Sequence, residues 1–389
     1  MLYDSVSQRK HIILNMINHL GPISRTALID LTGFRPATVG AIAGDLLAEQ
    51  MIVETENISV GHGRKRVLLD INKKHICAVA ISFAPRHVTF IVSQFDGQIL
   101  SNEQIDFTAA DPTEDHICSI VEKTKQLLAD YSDKNIVGIG LCKFLFEYTS
   151  DVGIVDKWIR DVLMPRLEAV SDLPMKLFSE VTLPAVAEQR YGVAQGKQNF
   201  IWVNLTNDIR TSLFCGGQAI GGTCGSAGAL GHTVVSQTSQ LSLCYCGKAG
   251  CVEHVAAWPA LLSNITSAMR SGVATKLNSY GVAPEDITFL EVRRALDEGD
   301  RMCRFYVKSA AHEIGLAISN AVNLLNPEMI VTHGFMLRLG KCFKDELEAT
   351  IRDNVLPVNE NFEICISNSF ENPMLLGAVA EIFSEYIHV

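Results

Sequence analysis

The sequence predicts an α/β protein in which two α/β lobes follow a small N-terminal winged helix-turn-helix. Three observations lead there. The chain has 389 residues, too many for one ordinary domain, and 48% of them are apolar against 20% charged, enough to bury real cores. Three helical patterns and two β-like segments succeed one another within the first 75 residues. From Ile76 onward strand-like runs lead and helical patterns follow, an order written twice. The expected boundaries are residues 1–75 for the small domain, 76–190 for the first lobe and 191–389 for the second, with the C-terminal helix returning to the first lobe.

Taken in order, residues 5–20 carry Ile12, Ile13, Met16, Ile17 and Leu20 at helical spacing, and Gly21-Pro22 stops the pattern. Ser24 is a good N-cap for a short second helix that closes at Thr32-Gly33. A third helix runs from Pro36, suited to a first helical turn, to about Gln50; Val39, Ile42, Leu46 and Leu47 hold it to the domain. The β-like segments Met51–Thr55 and Val67–Ile71 flank Gly61-His62-Gly63-Arg64-Lys65-Arg66, three cations in one glycine-flanked turn. A helix pair with a glycine turn is common by itself. The strands and the basic turn that follow make the pattern specific.

A net charge of −10 argues against a nucleic-acid partner until it is divided. Residues 1–75 hold 9 Lys/Arg and 7 Asp/Glu, and the rest holds 24 and 36, so a +2 head precedes a −12 body. An acidic body repels DNA, and any DNA contact falls to the head. In that reading the third helix enters the major groove. Arg35, Thr38, Gly40 and Ala41 then face base edges and phosphates, while Arg64, Lys65 and Arg66 track phosphates or the minor groove. Gly40 and Ala41 allow close approach but carry little base information.

In the body, strand-like runs occur at Ile76–Phe83, His87–Ser93, Ile136–Cys142, Phe200–Leu205 and Met329–Thr332. Helical patterns lie at His116–Tyr131, Leu183–Tyr191 and Cys303–Leu325. No apolar run approaches the ~20 residues of a membrane span, and Met1–Ser5 lacks a signal peptide's basic and then apolar layout. A reducing cytoplasm is the expected location, with no membrane partner. Of eleven cysteines, three crowd into Cys244-Tyr245-Cys246-Gly247-Lys248-Ala249-Gly250-Cys251, and His232 stands twelve residues before Cys244. One imidazole and three thiolates close a tetrahedral shell with no place for water, which predicts one structural Zn2+ per chain and not a catalytic one.

Gly225-Ser226-Ala227-Gly228-Ala229-Leu230-Gly231-His232, followed by Cys-x-Cys-Gly-x-x-Gly-Cys-x-Glu from Cys244 to Glu253, resembles the signature of the ROK family (repressors, open reading frames, kinases). Ala185-Val186-Ala187-Glu188, Asn326-Pro327-Glu328-Met329-Ile330-Val331 and Leu376-Gly377-Ala378-Val379-Ala380 add to the likeness, which spans about 76–389. The segment from Ser24 to Gln50 and the Gly63-Arg64 turn resemble the DNA-binding head of the family's repressor branch, that of the N-acetylglucosamine and xylose repressors. The resemblance implies an actin-like or hexokinase-like body and zinc on His232, Cys244, Cys246 and Cys251. His232 stands two residues further from the cysteines than the family pattern, which makes His254 the nearest substitute ligand. It also implies a homo-oligomer (dimer or tetramer), a palindromic duplex operator and a carbohydrate-like effector.

The same resemblance locates what is missing. Where a ROK kinase has glycine-rich phosphate loops, this chain has Ala80-Ile81-Ser82-Phe83-Ala84-Pro85-Arg86, Thr206-Asn207-Asp208-Ile209-Arg210-Thr211-Ser212 and Thr332-His333-Gly334-Phe335. Bulky residues fill the cradle and Asp208 would repel phosphate, so no catalytic residue is expected and a sugar kinase is the disfavoured alternative. The positions implied for the effector are Ser179, Glu180, Ala229, His232 and Glu253. Ala229 has no acceptor and Ser179 is short, so binding of an ordinary hexose should weaken by about 1–3 kcal/mol per lost partner. The expectation is therefore a DNA-binding repressor with a retuned effector site, or one that has lost its effector. A ligand-binding module without DNA function would lack the basic turn.

Overall fold

The computed structural model describes residues 6–56, 67–108, 113–143, 157–179, 182–236, 243–367 and 372–388. The chain divides into two units: residues 1–187 with 371–389, and residues 188–370. The three basic residues Arg64, Lys65 and Arg66, and Glu180, lie outside the described residues.

The first unit begins with α1 (Val6–Leu20), α2 (Arg25–Thr32) and α3 (Pro36–Ala48). Ser24 caps α2 by accepting the Ala27 N–H at 3.2 Å, and Gly33 ends it in a left-handed conformation (φ 67°). The apolar stripe of α3, Val39, Ile42, Ala43 and Leu46, is buried. Strands β1 (Ile23–Ser24), β2 (Ile52–Glu56) and β3 (Val67–Ile71) form an antiparallel sheet of order β1-β3-β2 beside the helices.

A five-stranded sheet follows, made of β4 (Ile76–Phe83), β5 (His87–Gln94), β6 (Ile99–Asp106), β7 (Asn135–Lys143) and β8 (Met175–Ser179). Its order is β6-β5-β4-β7-β8; β4, β5 and β6 are antiparallel neighbours, while β7 and β8 run parallel to β4. Every residue of β4 is buried, as its nearly continuous apolar run requires. One face packs Val79, Ile81 and Phe83 against Ile117, Ile120 and Leu127 of α4 (Glu114–Asp130), and against Ile159, Leu163 and Leu167. The other face receives the C-terminal helix Pro373–His388. Small residues set that approach: a Cβ on Gly140 would lie 3.2 Å from the Ala378 Cβ, and one on Gly138 2.9 Å from Ile382. The same C-terminal helix packs against α1, and the Phe383 ring meets that of Phe95 at a tilt of 47°, with centroids 4.9 Å apart.

The second unit repeats the sheet plan. Strands β9 (Phe200–Leu205), β10 (Ile209–Cys215), β11 (Gln218–Ala219), β12 (Met329–His333) and β13 (Glu363–Ile366) lie in the order β11-β10-β9-β12-β13. Again the first strands are antiparallel and the last two parallel to the first. Ile201, Val203 and Ile330 bury one face against helices that include Trp258–Arg270 and the long helix Arg301–Leu325. Asp300 caps that long helix through the Cys303 N–H at 2.7 Å.

Candidate functional site

Two places collect the residues singled out in the sequence. On α3, Arg35 occupies the N-cap position, and its carbonyl accepts from Thr38 and Val39 at 2.9 and 3.1 Å. Arg35, Gly40 and Ala41 are exposed and Thr38 is half-buried, so all four avoid the buried stripe. A Cβ built on Gly40 or on Gly44 would meet nothing within 4 Å. Packing among the described residues therefore gives no reason for glycine at either place, although glycine costs a helix about 1 kcal/mol each.

The second place is the loop system between β10 and the helix Val252–Ala256. His232 ends a short 3-10 turn, Leu230–His232, and Cys251 is the N-cap of Val252–Ala256. Donor atoms of His232, Cys244, Cys246 and Cys251 all lie within 4.8 Å of one another. Cys244 Sγ is 3.8 Å from His232 Nδ1, and the Cys246 and Cys251 sulfurs are 3.5 Å apart. Zinc bonds of ~2.0–2.3 Å hold tetrahedral donors roughly 3.3–3.8 Å from each other, so the set fits the ion expected from the sequence. Burial pushes the Cys251 thiol up to about 12 and raises Cys244, whereas the Lys248 backbone N–H holds Cys246 down. The cluster recruits His232; His254 sits within the helix Val252–Ala256 instead. Positive φ at Gly247 (83°) and Gly250 (77°) makes the turns that bring the sulfurs together.

Sequence reasoning missed Tyr245. Its hydroxyl stands 3.0 Å from His232 Nε2, with the two rings edge to face at 5.1 Å. His232 thus points one nitrogen at the cysteines and the other at a phenol. A visible sign was an aromatic residue inside the Cys-x-Cys run.

The residues implied for an effector divide between the units. Ser179 ends β8 in register with Lys143 in the first unit; Ala229, His232 and Glu253 gather in the second. Glu253 is 8% exposed and its Oε2 accepts the Ile209 N–H at 3.0 Å, fastening the helix Val252–Ala256 to the start of β10. Gly231 is squeezed between them, since a Cβ there would lie 2.3 Å from the Ile209 carbonyl oxygen and 3.1 Å from Glu253 Oε2.

The phosphate-loop positions also have a local account. Residues expected to form a bulky loop at 206–212 instead make a tight turn and then strand β10. Asp208 does not present a bare charge: its carboxylate accepts from Asn204 at 2.8 Å and Thr206 at 2.9 Å and pairs with Arg210 at 2.6 Å. Gly334 (φ 112°) is required because a Cβ would lie 2.2 Å from the Leu205 carbonyl oxygen. Beside it His333 stacks on Trp202 at 5.5 Å, and burial holds the imidazole below its usual value.

Two sheets of one strand order, each with a hairpin leading into parallel strands, define the class: a mixed α/β fold of the actin-like or hexokinase-like kind. The chain belongs to the ROK family, whose profile matches residues 78–382. It is 26% identical to the xylose repressor of Caldicellulosiruptor bescii over 97% of this chain and 96% of that one. With the DNA-binding transcriptional dual regulator NagC of Escherichia coli it shares 21% identity, over 95% and 90% of the two chains. Among solved structures, a ROK family transcriptional regulator homologous to the Escherichia coli MLC protein matches with a TM-score of 0.79 at 20% identity, over 98% of this chain and 96% of that one. The ROK hexokinase of Thermus thermophilus matches 79% of this chain and 99% of its own with a TM-score of 0.64 at 22% identity. The structural likenesses establish the fold. No described helix is long and apolar enough to cross a membrane.

Proposed function

We propose that this chain is a DNA-binding transcriptional repressor of carbohydrate-related genes whose head is a winged helix-turn-helix. The carrying observation is the outer face of α3: Gly40, Ala41 and Gly44 are exposed, and a Cβ on either glycine would meet no described residue within 4 Å. Repressors similar over almost the whole chain, head included, support the reading. Arg35, Thr38, Gly40 and Ala41 would lie in the major groove, with Arg64, Lys65 and Arg66 on the flanking backbone, and a homodimer would present two heads to a two-fold symmetric duplex.

His232, Cys244, Cys246 and Cys251 would hold one Zn2+, whose charge stabilises three neighbouring thiolates. Its role is structural, because four protein donors leave no open position. Removing it would release the loops at Ala229 and Glu253 and disturb the effector site before it touched the head.

An effector would meet Ser179, Glu180, Ala229, His232 and Glu253. In the second unit that surface is poor in hexose contacts. Ala229 offers none, Glu253 holds a backbone N–H, and both His232 nitrogens face protein atoms. A carbohydrate-like ligand other than an unmodified hexose fits better. Kinase activity is not part of the proposal, since the turn at Thr206–Asp208 is closed by its own side chains where phosphoryl transfer requires an open cradle. The test is DNA binding by the zinc-loaded protein, followed by fluorescence anisotropy, with a panel of sugars and sugar phosphates added. Release by a member of the panel other than glucose, without ATP turnover, is expected. Release by micromolar glucose, or turnover of ATP with any hexose, would overturn it.

A further inference from the structure

We infer that Tyr245 is a positioning residue for the metal cluster, setting which nitrogen of His232 faces the cysteines. The inference rests on the zinc reading above and extends it to a side chain outside the four donors.

An imidazole must put a lone pair, not a proton, on the nitrogen that meets a metal, so its other nitrogen carries the hydrogen. In this chain the geometry decides which is which. Nδ1 lies 3.8 Å from Cys244 Sγ, on the side of the three sulfurs, and Nε2 lies 3.0 Å from the Tyr245 hydroxyl. A phenol is suited to that second place because its oxygen both donates and accepts. With Nδ1 on a metal, Nε2–H donates to the phenol oxygen. Without a metal, Nδ1–H turns toward the Cys244 sulfur and the phenol donates to Nε2. One hydroxyl therefore supports the ring in both states, and the imidazole need not rotate on loading. A carboxylate or a carbonyl in that place could only accept, and would serve the loaded state alone.

Local structure holds Tyr245 there. Cys244 N–H donates to the Lys248 carbonyl and Gly247 N–H to the Cys244 carbonyl, closing a turn whose second residue is Tyr245. The tyrosine ring meets the imidazole edge to face, at 86°, which fixes the ring plane as well as the hydrogen bond. Tyr245 is 55% exposed, so its body is not anchored in a core, and its hydroxyl and its ring both meet His232. The consequence for the effector site is direct: a nitrogen of His232 held by Tyr245 is not offered to a ligand.

The experiment compares wild-type protein with Tyr245→Phe, which keeps the ring and removes the hydroxyl. Zinc affinity is measured by competition with a chromophoric chelator, and the His232 ring is followed by 15N NMR in the zinc-loaded proteins. The expected result is one zinc per chain in both, an affinity lowered about 10-fold or more in the variant, and a protected Nε2–H signal seen only in the wild type. Thermal unfolding at saturating zinc should be nearly unchanged, which separates positioning from general damage. Equal zinc affinity in the two proteins would overturn the role of Tyr245 and leave the zinc reading standing. A wild type that takes up no zinc would overturn both.

Discussion

At the scale of single residues, the least economical choices in the chain point outward. Gly40 and Gly44 weaken α3 and fill no tight place among the described residues, and in the proposed reading their smallness serves the approach of DNA. Gly40→Ala should therefore stabilise the head by about 0.5–1 kcal/mol while weakening binding to specific DNA. A thermal scan and a DNA titration on the same preparation read both effects; a stabilised variant with unaltered DNA affinity would mean that this face does not meet the duplex. Asp300 shows the opposite economy. Burial raises its carboxyl, but hydrogen bonds from the Cys303 and Lys276 N–H groups and the Thr275 hydroxyl outweigh that and leave it below its usual value. A depressed carboxylate contributes stability above its unfolded value, near pH 4, and loses it as pH falls through the folded one. Asp300→Ala should thus cost about 2 kcal/mol at neutral pH, and its Tm deficit should narrow below about pH 4. A deficit independent of pH would assign the effect to packing.

At the scale of elements, the C-terminal helix depends on absent side chains. Gly138 and Gly140 in β7 let Ala378 and Ile382 sit against the sheet. Gly140→Val should cost about 1–3 kcal/mol by overpacking and should raise hydrogen exchange first in the helix Pro373–His388. Unchanged protection there would place the strain elsewhere. Element legibility in the sequence followed burial. Strands β4, β9 and β12 are buried along nearly their whole length and read as mostly apolar runs. By contrast β6 (ILSNEQID) and β13 (EICI) mix polar and apolar residues and carry no such run. Strand β10 was hidden because the family likeness drew its first residues into an expected loop, where the structure pairs Ile209–Phe214 with Leu205–Phe200. The metal set was legible because four donors within twenty residues are a local signal. The Glu253 bond to Ile209 and the Tyr245 bond to His232 depend on side-chain direction, which spacing does not encode.

For the whole molecule, the sheet order is used twice, and the charge is not shared evenly. A head of +2 precedes an acidic remainder of −12, so long-range attraction to a duplex is confined to the first 75 residues. Two such heads in a dimer would read half-sites about one helical turn apart, or a multiple of it. The most direct test is selection from a random duplex library by the full-length, zinc-loaded protein, run beside Arg64→Ala/Arg66→Ala. Enrichment of a two-fold symmetric motif is predicted, bound more weakly and with a flatter salt dependence by the double variant. A wild-type protein that enriches no motif at moderate salt, or a double variant that binds the motif as tightly as wild type, would contradict the assignment of this head to DNA.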